Sequence, residues 1–183
     1  MKKFIVSLVA LVAFVSGAAF ADTVSVGAHF GNSDQRYYEV GVAHDVGANV
    51  VVTAQGETEQ SAHNDLLSQQ YSAKVGYKVA VPFGITVVPS VEYGVKLVPG
   101  ANDQSFYGAG VSASRQIYGP VSGEVTYRYR SSFVAGPAVA ENRVSAAVTW
   151  AIDAHDSVSL DAHTYTGNPS LLHVFGVSYS YKF

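Results

Sequence analysis

Three features of the chain predict a single all-β domain, an antiparallel up-and-down transmembrane β-barrel of about ten strands, with eight longer strands as the alternative count. From Asp22 to Phe183, apolar and polar residues alternate at period two, the spacing at which a strand shows two chemically different faces. Turn-forming breaks interrupt the alternation roughly every 12 to 18 residues. The apolar faces end in aromatics while the opposite faces carry Gly, Ser, Ala and charges, as a sheet closed on itself in hydrocarbon requires.

The first element precedes the domain. Met1-Lys2-Lys3 is a short basic start, Phe4 to Val15 is almost continuously apolar, and Ala19-Phe20-Ala21 offers small residues where a signal peptidase reads. Residues 1–21 therefore read as a cleaved secretory signal peptide, with cleavage before Asp22, and 22–183 as one barrel domain. The apolar run is about a dozen residues, short of the roughly 20 that a membrane-spanning helix needs. No cysteine occurs anywhere, so neither a disulfide framework nor a cysteine-linked lipid anchor is expected.

Ten strands are predicted near 23–31, 36–46, 49–58, 67–81, 84–98, 105–118, 121–131, 142–152, 157–166 and 172–183. The tight breaks are Val46-Gly47-Ala48-Asn49, Val81-Pro82-Phe83-Gly84, Tyr118-Gly119-Pro120 and Asp153-Ala154-His155-Asp156. Between them fall Gly31-Asn32-Ser33-Asp34, Glu59 to Leu66, Pro99 to Asp103, Phe133 to Glu141 and Gly167-Asn168-Pro169-Ser170. Gly supplies positive φ, Pro a fixed φ, and Asn and Asp local side-chain bonds. Tight turns on one side and several longer loops on the other suit a barrel with both termini in the periplasm.

The faces are legible strand by strand. Val121, Gly123, Val125, Tyr127 and Tyr129 oppose Ser122, Glu124, Thr126, Arg128 and Arg130; Val144, Ala146, Val148, Trp150 and Ile152 oppose Arg143, Ser145, Ala147, Thr149 and Ala151. Closure follows from the solvent, because an open edge in hydrocarbon leaves unpaired backbone groups. A soluble periplasmic ligand-binding β-barrel is the competing architecture, and it would turn its apolar face inward.

The last strand, His173 to Phe183, puts Phe175, Val177, Tyr179, Tyr181 and Phe183 on one face and stops on an aromatic. This ending resembles the assembly signal of bacterial outer-membrane barrels, and Tyr179, Tyr181 and Phe183 are its expected recognition residues. In whole-chain pattern the sequence resembles small outer-membrane β-barrel proteins of the OmpA-type, OmpX-like or YfaZ-like kind. That resemblance implies a porin-like membrane protein of the bacterial outer membrane, with outer-membrane lipids, lipopolysaccharide and the barrel-assembly machinery as partners.

Without the signal, nine basic residues face fourteen acidic ones, a charge of −5, which argues against a nucleic-acid partner. The inward charges are Glu39, Asp45, Glu57, Glu92, Glu124 and Asp161 against Lys74, Lys78, Lys96, Arg128, Arg130, Arg143 and Lys182. Enclosed charges are costly unless paired or hydrated, so a mainly charge-paired lumen with a structural or surface-interaction role is expected. A narrow passive pore for ions or small solutes is the alternative. Charges on adjacent strands are expected to pair with each other, and Glu92 and Lys96 on one strand and Glu124 and Arg128 on another are expected members of that network.

No enzyme, cofactor or metal is expected. Gly108-Ala109-Gly110-Val111-Ser112-Ala113 matches a loosened dinucleotide fingerprint by letter but lacks a following helix. The six histidines lack zinc spacing, and the serines along the inner face single out no nucleophile. His29, Asp161 and His163 form the best three-dimensional cluster, with solvated histidines at the barrel mouth as the expectation.

Overall fold

The computed structural model describes residues 22–183 apart from 33, 134–140 and 167–171. The expected signal segment, 1–21, the Ser33 position of the first break, and most of the breaks at Phe133 to Glu141 and Gly167 to Ser170 lie outside the described residues. Among the described residues, eleven strand segments follow one another: β1 (Thr23–Gly31), β2 (Arg36–Val46), β3 (Val50–Gln60), β4 (Leu66–Tyr77), β5 (Val79–Val81), β6 (Ile85–Leu97), β7 (Gln104–Tyr118), β8 (Val121–Ser132), β9 (Glu141–Ala151), β10 (Asp156–Thr166) and β11 (Leu172–Lys182).

β4 and β5 are one wall strand. Both pair with β6 in a single register, Gly76 opposite Ser90 and Val79 opposite Val87. The ladder breaks between them, where the Lys78 N–H donates to the Asn49 carbonyl at 2.6 Å. Every stave is antiparallel to its neighbours. The first and last close the ring, from Thr23 opposite Lys182 to Gly31 opposite Val174. Ten staves result, which sets aside the eight-strand alternative.

The short turns and both ends of the described chain share one rim, called here the terminal rim. Gly47 and Gly119 hold φ of 68° and 52° there, a left-handed backbone that Gly adopts without a Cβ clash. At the last tight turn, one Asp153 carboxylate oxygen accepts the N–H groups of His155 and Asp156 at 2.7 and 2.8 Å. These bonds hold the exposed carboxyl below the ordinary aspartate range. The loop rim at the other end carries the longer connections.

Large apolar side chains point outward. Val91, Leu160, Trp150 and Phe175 are each more than 60% exposed, whereas the only buried hydrophobics among the described residues are Tyr37, Phe106 and Val174. In water such a continuous apolar surface would drive association; in hydrocarbon it is the solvated face. Aromatics gather toward both rims. Tyr93 and Tyr107 pack on Phe133 near the loops, with ring centroids 5.9 and 4.9 Å apart, and Tyr181 meets Phe183 edge-on at 5.0 Å near the termini.

Candidate functional site: the barrel lumen

Two glycines organise the lumen. Glu92, Gly108 and Arg130 share one rung across β6, β7 and β8. Because Gly108 contributes no side chain, the outer two meet over it: Arg130 donates to both Glu92 oxygens, at 2.9 Å from Nε and 2.6 Å from Nη2. A Cβ on residue 108 would come within 3.1 Å of Arg130 Cγ and 3.2 Å of Glu92 Oε2. The two side chains are 2% and 5% exposed, so this is a bidentate pair taken out of water, the geometry in which guanidinium and carboxylate interact best.

The same device recurs on the other side. His29, Gly176 and Asp161 share a rung across β1, β11 and β10, and His29 Nε2 reaches Asp161 Oδ1 at 3.0 Å over the glycine. The other carboxylate oxygen lies 3.2 Å from His163 Nδ1. His29 and His163 are 5% and 6% exposed, which corrects the expectation of solvated mouth histidines. They are interior groups clamped on one carboxylate, and among the described residues no set of three such groups has metal-binding geometry.

Above the first bridge, Phe106 lays its ring on Gly94, and the Arg130 guanidinium stacks over that ring at 4.7 Å. Arg130, Phe106 and Val174 are at most 1% exposed. All three lie near the loop ends of β8, β7 and β11, so inward side chains on both sides of the ring are buried in the loop half of the lumen. The terminal half is lined by Ser25, Ser178, Ser180, Ser159 and Thr149, small polar residues in mutual register on β1, β11, β10 and β9.

The remaining site residues take distinct places. Arg128 Nη2 donates to Glu141 at 2.5 Å, and Glu141 also lies 3.4 Å from Arg130 Nη1. Lys96 approaches Glu59 at 3.9 Å, while Glu59 accepts from the Ser68 hydroxyl at 2.8 Å. Thr126 donates to Glu124 at 3.1 Å. Lys78 pairs with Asp45 at 2.6 Å, both substantially exposed at the terminal rim. Lys74 stands opposite Glu92 in register. Arg143 has its guanidinium 5.8 Å from the Tyr165 ring centre, and Glu39 faces Glu57 across β2 and β3.

Glu92 pairs with Arg130, two staves away, and Arg128 with Glu141 on the adjacent stave, so each partner lies on another strand. Residues four apart on a strand stand about 13 Å apart at 3.3 Å per residue, beyond ion-pair reach. Glu141 and Glu59, central to the network, fell into predicted loops. The clue was present for Glu59, since Glu57, Glu59 and the apolar alternation before them continue one register.

Toward the terminal rim, Asp22, Thr23, Ala43, Asp45, Val51, Lys78 and Lys182 surround a small cavity of about 270 Å³. Asp22 Oδ2 accepts the Asp45 N–H at 2.5 Å, which is the main reason its exposed carboxyl sits below the usual range. At the seam of the ring, the Phe183 N–H donates to the Asp22 carbonyl at 3.0 Å, and Tyr179 donates to the Asp156 carboxylate.

No family model and no curated protein sequence matches the chain. Solved structures do match it in fold. The KdgM porin superposes with a TM-score of 0.57 at 7% identity, over 88% of this chain and 99% of that one. The NanC porin gives 0.57 at 11% identity, over 87% and 100%. The translocator domain of the autotransporter NalP from Neisseria meningitidis gives 0.54 at 12% identity, over 97% and 98%. All three are β-barrels of outer-membrane type, and at these identities the likeness is one of fold.

Proposed function

We propose that the protein is an integral barrel of the bacterial outer membrane, exported by its signal segment, with a lumen closed in its loop half by paired charges and packed rings. Its role is then structural or one of surface interaction, as in small barrels of the OmpA or OmpX kind, rather than bulk passage of solutes. The observation that carries this reading is the burial of Arg130, Phe106 and Val174, each at most 1% exposed although each lies on an inward face. A lumen wide enough for hydrated ions at that level would leave these side chains in contact with water. The outward apolar surface supports membrane residence, since a soluble ligand-binding barrel has the opposite polarity. Outer-membrane lipids and lipopolysaccharide are the natural neighbours of that surface, and Tyr179, Tyr181 and Phe183 are the segment offered to the assembly machinery.

A narrow passive pore is the second reading. It is favoured by the fold shared with two porins and by Lys74 and Arg143, which stay partly exposed inside the ring. Planar-bilayer recording on the purified protein separates the two. The closed reading expects no discrete openings; reproducible openings whose selectivity changes on Arg130→Ala or Glu92→Ala would replace it with the pore. Outer-membrane fractionation with heat-modifiable gel migration tests the location, and recovery in the soluble periplasmic fraction would overturn both readings.

A further inference from the structure

Glu39 and Glu57 stand directly opposite each other on β2 and β3, and Arg128 and Arg143 directly opposite each other on β8 and β9. Like charges facing across a ladder are destabilising, and this barrel holds two such pairs on its inner wall. The pairs also oppose one another. In the ten-stave ring, three staves separate β3 from β8 in one direction and β2 from β9 in the other.

What distinguishes these four from Arg130 and Glu92 is incomplete pairing. Among the described residues, no ion-pair partner lies within 4.0 Å of Glu39, Glu57 or Arg143. Arg128 engages Glu141 through Nη2, while its Nε is buried without a hydrogen-bond partner among the described residues. The Arg143 guanidinium lies 5.8 Å from the ring centre of Tyr165, a cation–aromatic contact that neutralises none of its charge. All four side chains belong to partly exposed residues, so water-accessible space adjoins them.

We propose that the gap between these walls is a binding subsite for a small zwitterion, a solute carrying one ammonium and one carboxylate such as a free amino acid. Arg143 and Arg128 receive the carboxylate, and Glu39 and Glu57 receive the ammonium. A simple anion would satisfy the arginine wall and leave two facing glutamates unrelieved; a simple cation would do the reverse. A zwitterion relieves both walls without adding net charge to an enclosed space, where an unpaired charge is expensive. The subsite needs water beside the charges and no through-path, so it stands or falls independently of conductance.

The test is calorimetric titration of the purified full-length barrel in detergent micelles with ω-amino acids from glycine to aminohexanoate, beside acetate and methylammonium. Saturable binding that peaks at one chain length is expected, with both single-charge compounds weaker. Arg143→Gln and Glu57→Gln should each weaken the best ligand on the order of tenfold, the worth of one charge-assisted hydrogen bond. The proposal is overturned if no ω-amino acid binds saturably, if acetate or methylammonium binds as tightly, or if folded forms of both variants bind like wild type. Should a variant fail to fold, the comparison of zwitterions with single-charge compounds on the wild-type protein decides alone.

Discussion

Replacing Glu92 by Gln removes the acceptor of a bidentate pair whose side chains are 2% and 5% exposed. Breaking a buried ion pair from one side costs about 3–5 kcal/mol, because the surviving charge keeps its desolvation penalty. Glu141 remains 3.4 Å from Arg130, so the lower end applies and Glu92→Gln should cost about 3 kcal/mol. Arg130→Met should cost less, about 2 kcal/mol, because Lys74 stands opposite Glu92 in register and a methionine keeps contact with Phe106. Removing both charges, as Glu92→Leu with Arg130→Met, should return most of the loss, since replacing a whole buried pair by apolar groups is often neutral. Denaturant unfolding in micelles measures the series, and the single tryptophan, Trp150, reports it from the terminal rim. If Glu92→Gln unfolds within about 0.5 kcal/mol of wild type, the range of an ordinary surface substitution, the bridge over Gly108 is not a stabilising element and the closed-lumen reasoning fails with it.

Gly176→Ala would place a Cβ 1.7 Å from His29 Cδ2, so the imidazole must leave its bond to Asp161. A loss of about 1–3 kcal/mol is expected from the same unfolding assay, as for overpacking elsewhere. Deleting Phe183 removes one seam hydrogen bond and one edge-on ring contact. It should therefore depress outer-membrane levels of the protein more than it alters the folded barrel, and equal levels of the two forms would make the ending ordinary packing. At the last turn, the Asp153 carboxyl lies below its ordinary range because it accepts two backbone N–H groups. Its contribution is complete above the ordinary aspartate range and is lost as pH falls through the depressed value. Amide exchange at His155 and Asp156, corrected for the intrinsic pH dependence, should show protection falling only in strong acid, and Asp153→Asn should remove that dependence.

How much of this was legible in the sequence divides along one physical line. Strand type and boundaries follow from local chemistry. Gly47, Pro82 with Gly84, Gly119 and Asp153 mark the terminal rim by their own backbone preferences, and the period-two faces between them assign inside and outside. The eight-strand alternative failed because each break had enough turn chemistry to end a ladder. Boundaries slipped where a polar alternation was taken for loop: Glu59 continues β3 opposite Ser68, and Glu141 opens β9 opposite Arg130.

Lumen partnerships obey a different rule. A stave tells which residues point inward but not which residues of other staves arrive beside them, since that depends on register around the whole ring. The sequence shows Glu92 near Lys96 along the chain and gives no hint that Arg130, two staves away, is nearer in space. Yet the decisive residues were visible as glycines. Gly108 and Gly176 each occupy an inward position between staves bearing opposite or hydrogen-bonding groups, and each lets those groups meet on one rung. An inward glycine in a narrow barrel is thus more than an economy of space. It couples the second neighbours on either side, and here that coupling places two buried polar contacts of the lumen where a side chain would have kept them apart.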